Sequence, residues 1–158
     1  MQDINLQECH EMVKEFHTKF RFKKQTFPQR DAIWDEEYNE WLHATNDIDK
    51  LDGLVDMLYV WLGTMINFNL IPYDQDMVFY RNNNTFSDFN GAFREVHRSN
   101  MSKSCKTLDE VYKTIAQEKY KNLSLTYENV DGLYFVKDSN QKLIKSIDYS
   151  KAILDSFV

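Results

Sequence analysis

The chain has 158 residues, enough for one domain with a single core, and its formal net charge is -6. At 42% hydrophobic and 15% aromatic it does not have the composition of a disordered chain, and its excess of acid excludes a sequence-independent grip on nucleic acid, which needs clustered Lys and Arg. Its two cysteines, Cys9 and Cys105, form no metal-ligand pattern and read as free thiols of a reducing compartment.

The polar, acidic start from Gln2 to Glu8 carries no signal-peptide pattern, so a soluble cytoplasmic protein is expected. Leu6, Cys9, Val13, Phe16 and Phe20 recur at three- and four-residue steps, which predicts a first helix near residues 4–21. Pro28 suits the first turn of a second helix running to about His43, with Ile33, Trp34, Tyr38, Trp41 and Leu42 as its apolar residues. Asn46-Asp47 offers a cap for a third helix to about Phe68. That helix is apolar on nearly every side after Leu54, so it is expected at the centre of a bundle. Asp56 and Asn67 interrupt its apolar run, which argues for a buried core helix and against a membrane span.

Pro72 ends that segment, and Asn82-Asn83-Asn84-Thr85 reads as a loop. Phe86 to Ser99 reads as a fourth helix burying Phe89, Phe93 and Val96. Thr107-Leu108-Asp109-Glu110 has capping-box form and starts a short helix to about Lys119. Leu133 to Val136 and Leu143 to Ser146 flank a polar stretch and suggest a β-hairpin. The predicted fold is therefore all-α, one domain over residues 1–158 with a four-helix-bundle-like core. Residues 104–158 form a C-terminal extension containing a short helix and a possible hairpin.

The chemistry concentrates in carboxylates. Glu36 and Glu40 lie one turn apart on one helix face, Glu37 and Glu40 are neighbours at i,i+3, and Asp52 and Asp56 repeat the pattern at i,i+4. A solvated acidic face is the ordinary explanation of Glu36 to Glu40. Asp56 resists it, because Leu54, Val55, Met57, Leu58, Tyr59 and Val60 surround it and a buried carboxylate needs a cation. That cation is a Lys, an Arg or a metal. Two helices joined by a short loop are antiparallel neighbours, so the two acidic groups can face each other. Oxygen-only ligands favour magnesium, manganese or calcium over zinc, and magnesium commonly shares carboxylates with substrate phosphates. The three tryptophans, Trp34, Trp41 and Trp61, read as packing residues.

Four segments resemble one family. Glu36-Glu37-Tyr38-Asn39-Glu40 is similar to the EExxE half of the all-α nucleoside triphosphate pyrophosphohydrolases. Asp52 to Thr64 resembles the second acidic helix of the MazG-like and phosphoribosyl-ATP pyrophosphohydrolase-like branch. Glu95-Val96-His97-Arg98-Ser99-Asn100-Met101-Ser102-Lys103 resembles its downstream segment, and Lys145 to Ser150 its C-terminal end. The resemblance implies hydrolysis of nucleoside triphosphates between the α- and β-phosphates, giving a monophosphate and pyrophosphate. It implies Glu37, Glu40 and Asp56 as magnesium ligands, with manganese as a substitute, and Glu36 as the residue that orients or deprotonates water. Lys103, Asn100 and Arg98 would contact phosphate. Where the family has a second-helix glutamate this chain has Gly53, and Asp52 is taken as the substitute ligand. The resemblance further implies self-association as a dimer or tetramer; the acidic balance and the interrupted apolar run give the expectation of no nucleic acid and no membrane partner. A non-catalytic nucleotide-binding module, or a pyrophosphohydrolase acting on a phosphoribosyl-nucleotide, are the alternatives.

Overall fold

A computed structural model describes residues 4–69 and 88–158. The expected loop at residues 82–85, the break at Pro72 and the expected helix start at Phe86 lie outside the described residues.

Helix α1 spans Leu6–Lys19, and Asn5 caps it by accepting from the Glu8 amide. Helix α2, Phe27–His43, has Pro28 in its first turn, where no amide hydrogen is needed. The Gln29 side chain reaches back to accept from the Thr26 amide at 2.9 Å. Helix α3, Asp47–Phe68, starts under the Asn46 cap. It stops at Asn69, whose φ of 55 is left-handed, a conformation that Asn tolerates better than most residues. Helix α4 covers Phe89–Met101, capped by Asp88. Helix α5, Leu108–Ile115, is capped by Thr107, while Glu110 accepts from Lys106 rather than completing the reciprocal box.

Helix α3 is the centre of the helical core: it packs against α1, α2 and α4, and α1 also packs against α4. Leu51, Val55, Leu58, Tyr59 and Leu62 of α3 are buried with Val13, Phe16 and Phe20 from the α1 side and Phe93 and Val96 of α4. Tyr59 lies between Phe16 and Phe93, each ring centroid 5.5 Å away. Each such side chain contributes about 1.5–3 kcal/mol by leaving water, so this cluster dominates the stability of the helical part. Cys9 and Cys105 are buried free thiols.

The expected apolar face of α2 is not a buried one. Ile33, Trp34 and Trp41 are half-buried, Tyr38 and Leu42 are exposed, and Arg30 is the buried residue of this helix. The hairpin also differs from expectation. Strands β1, Thr126–Val130, and β2, Leu133–Lys137, pair antiparallel with Val130 opposite Leu133. The turn is Asp131-Gly132, both with positive φ (51 and 85), which is the strongest short hairpin signal and outweighs the polar stretch after Lys137. Leu143 and Ile144 touch the other edge of β2 through a single bridge and one amide bond to Val136. A second small core of Cys105, Val111, Val136 and Ile144 holds α5 against β2. The result is an all-α core with a β-hairpin in the C-terminal part. Among the described residues no helix is long and apolar enough to cross a membrane.

Candidate functional site

Three contacts fix the register of α2 on α3. Asn67 clamps the Gln25 backbone, accepting from its amide at 2.8 Å and donating to its carbonyl at 2.9 Å. Arg30 donates to the Thr64 hydroxyl and to the Val60 carbonyl. Gly53 lies directly under Trp41. Partner numbers fall on one helix as they rise on the other, so the helices are antiparallel, as the short link at residues 44–46 requires.

Gly53 matters at that crossing. A Cβ there would stand 2.8 Å from the Trp41 Cβ and 2.9 Å from its Cα, so only glycine lets the two helices come this close. Position 53 therefore faces the α2 backbone. A side chain at position 53 would meet the α2 backbone unless the two helices moved apart.

The acidic residues do share a space. Glu36, Glu37 and Glu40 of α2, with Asp52 and Asp56 of α3, line one cavity of about 1020 Å³. Asn100 and Lys103 line it from the end of α4, and the Lys103 ammonium donates to the Asn100 side chain at 2.7 Å. Asp49, one turn before Asp52 and electrostatically coupled to it, extends the α3 acidic row outward. The sequence reading began that row at Asp52, although the same i,i+3 spacing was visible.

Burial and mutual repulsion strain these carboxylates. Glu37 is half-buried, and burial, with Glu40 and Glu36 close by, pushes its carboxyl up to about 7. Burial likewise raises the Asp56 carboxyl well above the usual range, and Glu37 and Asp52 add to it. Lys103 opposes both shifts. Asp52 is raised by burial and held back by Lys151. Lys103 itself is lowered by burial, while Asp56 favours its charged form. One half-buried ammonium is thus set against several crowded carboxylates.

Among the described residues, no three His, Cys, Asp or Glu side chains stand together as a ready cation cage. The donor chemistry nonetheless fits a hard divalent cation. All five donors are carboxylate oxygens, and a second positive charge would favour the ionised forms of Glu37 and Asp56, which burial first and neighbouring carboxylates second disfavour.

The far end of the cavity is aromatic. Phe16 and Phe22 line it, their centroids 5.3 Å apart, whereas Tyr59 lines the cavity close to Asp56 and Asn100. His17 stands beside Phe22, and burial, with Arg30 nearby, pushes its imidazole down to about 4, so it is neutral at physiological pH. Arg30, buried at the same end, also donates to the Gln25 side chain at 3.0 Å. Neither Arg30 nor His17 stood out in the sequence, because a single basic residue on a helix carries no local sign of burial.

Arg98 does not join the other expected site residues. It is exposed, pairs with Glu95 at 2.7 and 2.8 Å, and donates to the Lys151 carbonyl at 3.0 Å. His97 meets the Tyr59 hydroxyl through Nδ1 at 3.0 Å. The remaining site residues expected from sequence all line the cavity, and they are joined by Lys142, Lys145 and Lys151 from the C-terminal extension. Lys145 opens the C-terminal segment that resembles the family, whereas Lys142 and Lys151 lie in no local pattern. No protein-family model, no curated protein and no solved structure matches this chain. The resemblance to the all-α pyrophosphohydrolases stands on the four motifs alone.

Proposed function

We propose that this chain is a magnesium-dependent nucleoside triphosphate pyrophosphohydrolase, cleaving ribo- or deoxyribonucleoside triphosphates between the α- and β-phosphates. The observation that carries this reading is the convergence of five carboxylates from two antiparallel helices, with Lys103 and Asn100, on one cavity of about 1020 Å³. That volume is of the size that holds a nucleotide.

In this reading Glu37, Glu40, Asp52 and Asp56 would hold the magnesium, with manganese as a substitute. When bound, it supplies a lowered pKa for an attacking water and charge neutralisation for the phosphates. Glu36, at the exposed rim, orients that water or takes its proton. Lys103 places a compact charge on a phosphate oxygen, and Asn100 fixes the Lys103 ammonium by accepting from it. Phe22, half-buried in the lining, offers a flat apolar surface to a base, backed by the buried ring of Phe16. The partly exposed aromatic face of α2, with Phe27 59% and Tyr38 42% exposed, supports self-association as a dimer or tetramer.

A non-catalytic nucleotide-binding module is the second reading. Its motive is the glycine at position 53, where the family has a glutamate; the close contact of Gly53 with Trp41 gives that glycine a packing role as well. The test is a panel of nucleotides, phosphoribosyl-ATP included, incubated with magnesium and assayed for pyrophosphate. Release from a nucleoside triphosphate, abolished in Glu40→Ala, is expected. Binding without release would favour the second reading, and release from phosphoribosyl-ATP alone would move the substrate class.

A further inference from the structure

After Lys137 the chain forms no helix or strand, yet it is fixed at many points. The Ser146 hydroxyl donates to the Ser102 carbonyl at 2.9 Å, and the Ile147 amide to the Thr114 hydroxyl at 2.8 Å. The Ser150 amide donates to the Ser102 hydroxyl at 3.0 Å, and the Ile153 amide to Glu95 at 2.9 Å. These bonds tie the extension to α4 and α5. They hold one side of it over the cavity.

The charge on that side is uniform. Lys142, Lys145 and Lys151 line the cavity, whereas Asp148 and Asp155 of the same segment do not. Of the charged residues that α2 and α3 contribute to the lining, all but Arg30 are carboxylates. Lys145 and Lys142 are near enough to Lys103 to disfavour its positive charge. An anion placed among Lys103, Lys142 and Lys145 would offset that repulsion. Across the cavity, Lys142 Nζ donates to Glu36 Oε1 at 2.9 Å, a pair 106 residues apart in sequence.

We propose that the C-terminal extension is the polyphosphate-binding wall of the site, with Lys142 and Lys145 acting beside Lys103 on the β- and γ-phosphates, and that Lys142 leaves Glu36 to do so. The inference rests on the pyrophosphohydrolase reading and deepens it. Without substrate, Lys142 occupies the carboxylate that must handle water. A triphosphate, with its clustered charge, draws Lys142 away and frees Glu36. A monophosphate reaches fewer of these ammonium groups and releases readily.

The test is calorimetric titration of the full chain, in magnesium, with an α,β-imido deoxynucleoside triphosphate, with inorganic tripolyphosphate and with the matching monophosphate. The double variant Lys142→Gln/Lys145→Gln is expected to lose about tenfold or more in affinity for both triphosphates, as for one lost charge-assisted contact, and less than about threefold for the monophosphate. Glu36→Gln breaks the same ion pair from the other side, and it is expected to leave tripolyphosphate affinity unchanged or raise it. A purely structural pair would instead make both changes act alike. Equal affinities in wild type and double variant, or parallel losses for tri- and monophosphate, would overturn the proposal while leaving the parent reading intact if the wild type releases pyrophosphate. Wild-type protein that binds neither triphosphate would overturn both.

Discussion

The acidic wall of the cavity stands on two regular helices, locked together where Gly53 meets Trp41 and where Asn67 clamps Gln25. The basic wall is irregular chain, held by hydrogen bonds to Ser102, Thr114 and Glu95 and by one from Arg98. The first is rigid and crowded with like charge, so its energy is stored in burial and repulsion. The second is exposed and adjustable, and its lysines can change partners at little cost. In the proposed reaction the first wall would supply the cation's oxygens and the second the ammonium groups for the phosphates.

The largest effect that separates the two walls is pH-dependent. A carboxyl raised in the folded state holds its proton longer than in the unfolded chain. Its contribution to stability is therefore fully present below the unfolded value and is lost as pH rises through the folded one. For Glu37 that window runs from 4.5 to about 7, worth at most about 3 kcal/mol. His17, pushed down to about 4, acts in the opposite sense: stability is lost as pH falls below its ordinary value toward the folded one. Subtracting Glu37→Gln from the wild type cancels His17. Urea denaturation of the metal-free protein should show the variant gaining on the wild type as pH rises from 4.5 to 8, and magnesium should shrink the gain. A pH-independent difference would break the picture of a strained acidic wall.

A smaller effect concerns the helix crossing. Gly53→Ala should cost about 1–3 kcal/mol in chemical denaturation, because the added methyl meets Trp41 at its Cβ and backbone. A neutral or stabilising result would mean that α2 and α3 can separate, and the acidic wall would not be rigid. The smallest effect belongs to the basic wall. Arg98→Ala removes an exposed ion pair and one bond to the Lys151 carbonyl, and should change stability by less than about 1 kcal/mol. Its signature is kinetic: KM for a nucleoside triphosphate should rise while kcat stays close to wild type. A loss confined to kcat would restore Arg98 to direct phosphate contact, as the sequence had suggested.

Helical periodicity made α1 and α3 legible, and the caps Asn46 and Thr107 gave the starts of α3 and α5. The same local rules misjudged α2, whose buried residue is Arg30, because the partners that satisfy it lie on α3 at positions 60 and 64. The acidic site was readable from carboxylate spacing, since helix geometry converts spacing into a shared face. The basic wall was not. Its lysines are placed by bonds between residues such as Ser102 and Ser146, 44 positions apart, and no sequence window of helical or strand length contains both. Arg98 shows the same limit from the other side: it sits within a motif that resembles a phosphate-binding run, yet its partners are Glu95 and the extension.

The most direct measurement is phosphorus NMR of a deoxynucleoside triphosphate incubated with magnesium and the wild-type protein, beside Asp56→Ala. The account predicts that the wild type converts the triphosphate signals into those of monophosphate and pyrophosphate, and that Asp56→Ala leaves them unchanged. Appearance of diphosphate and orthophosphate, or conversion undiminished in Asp56→Ala, would contradict it.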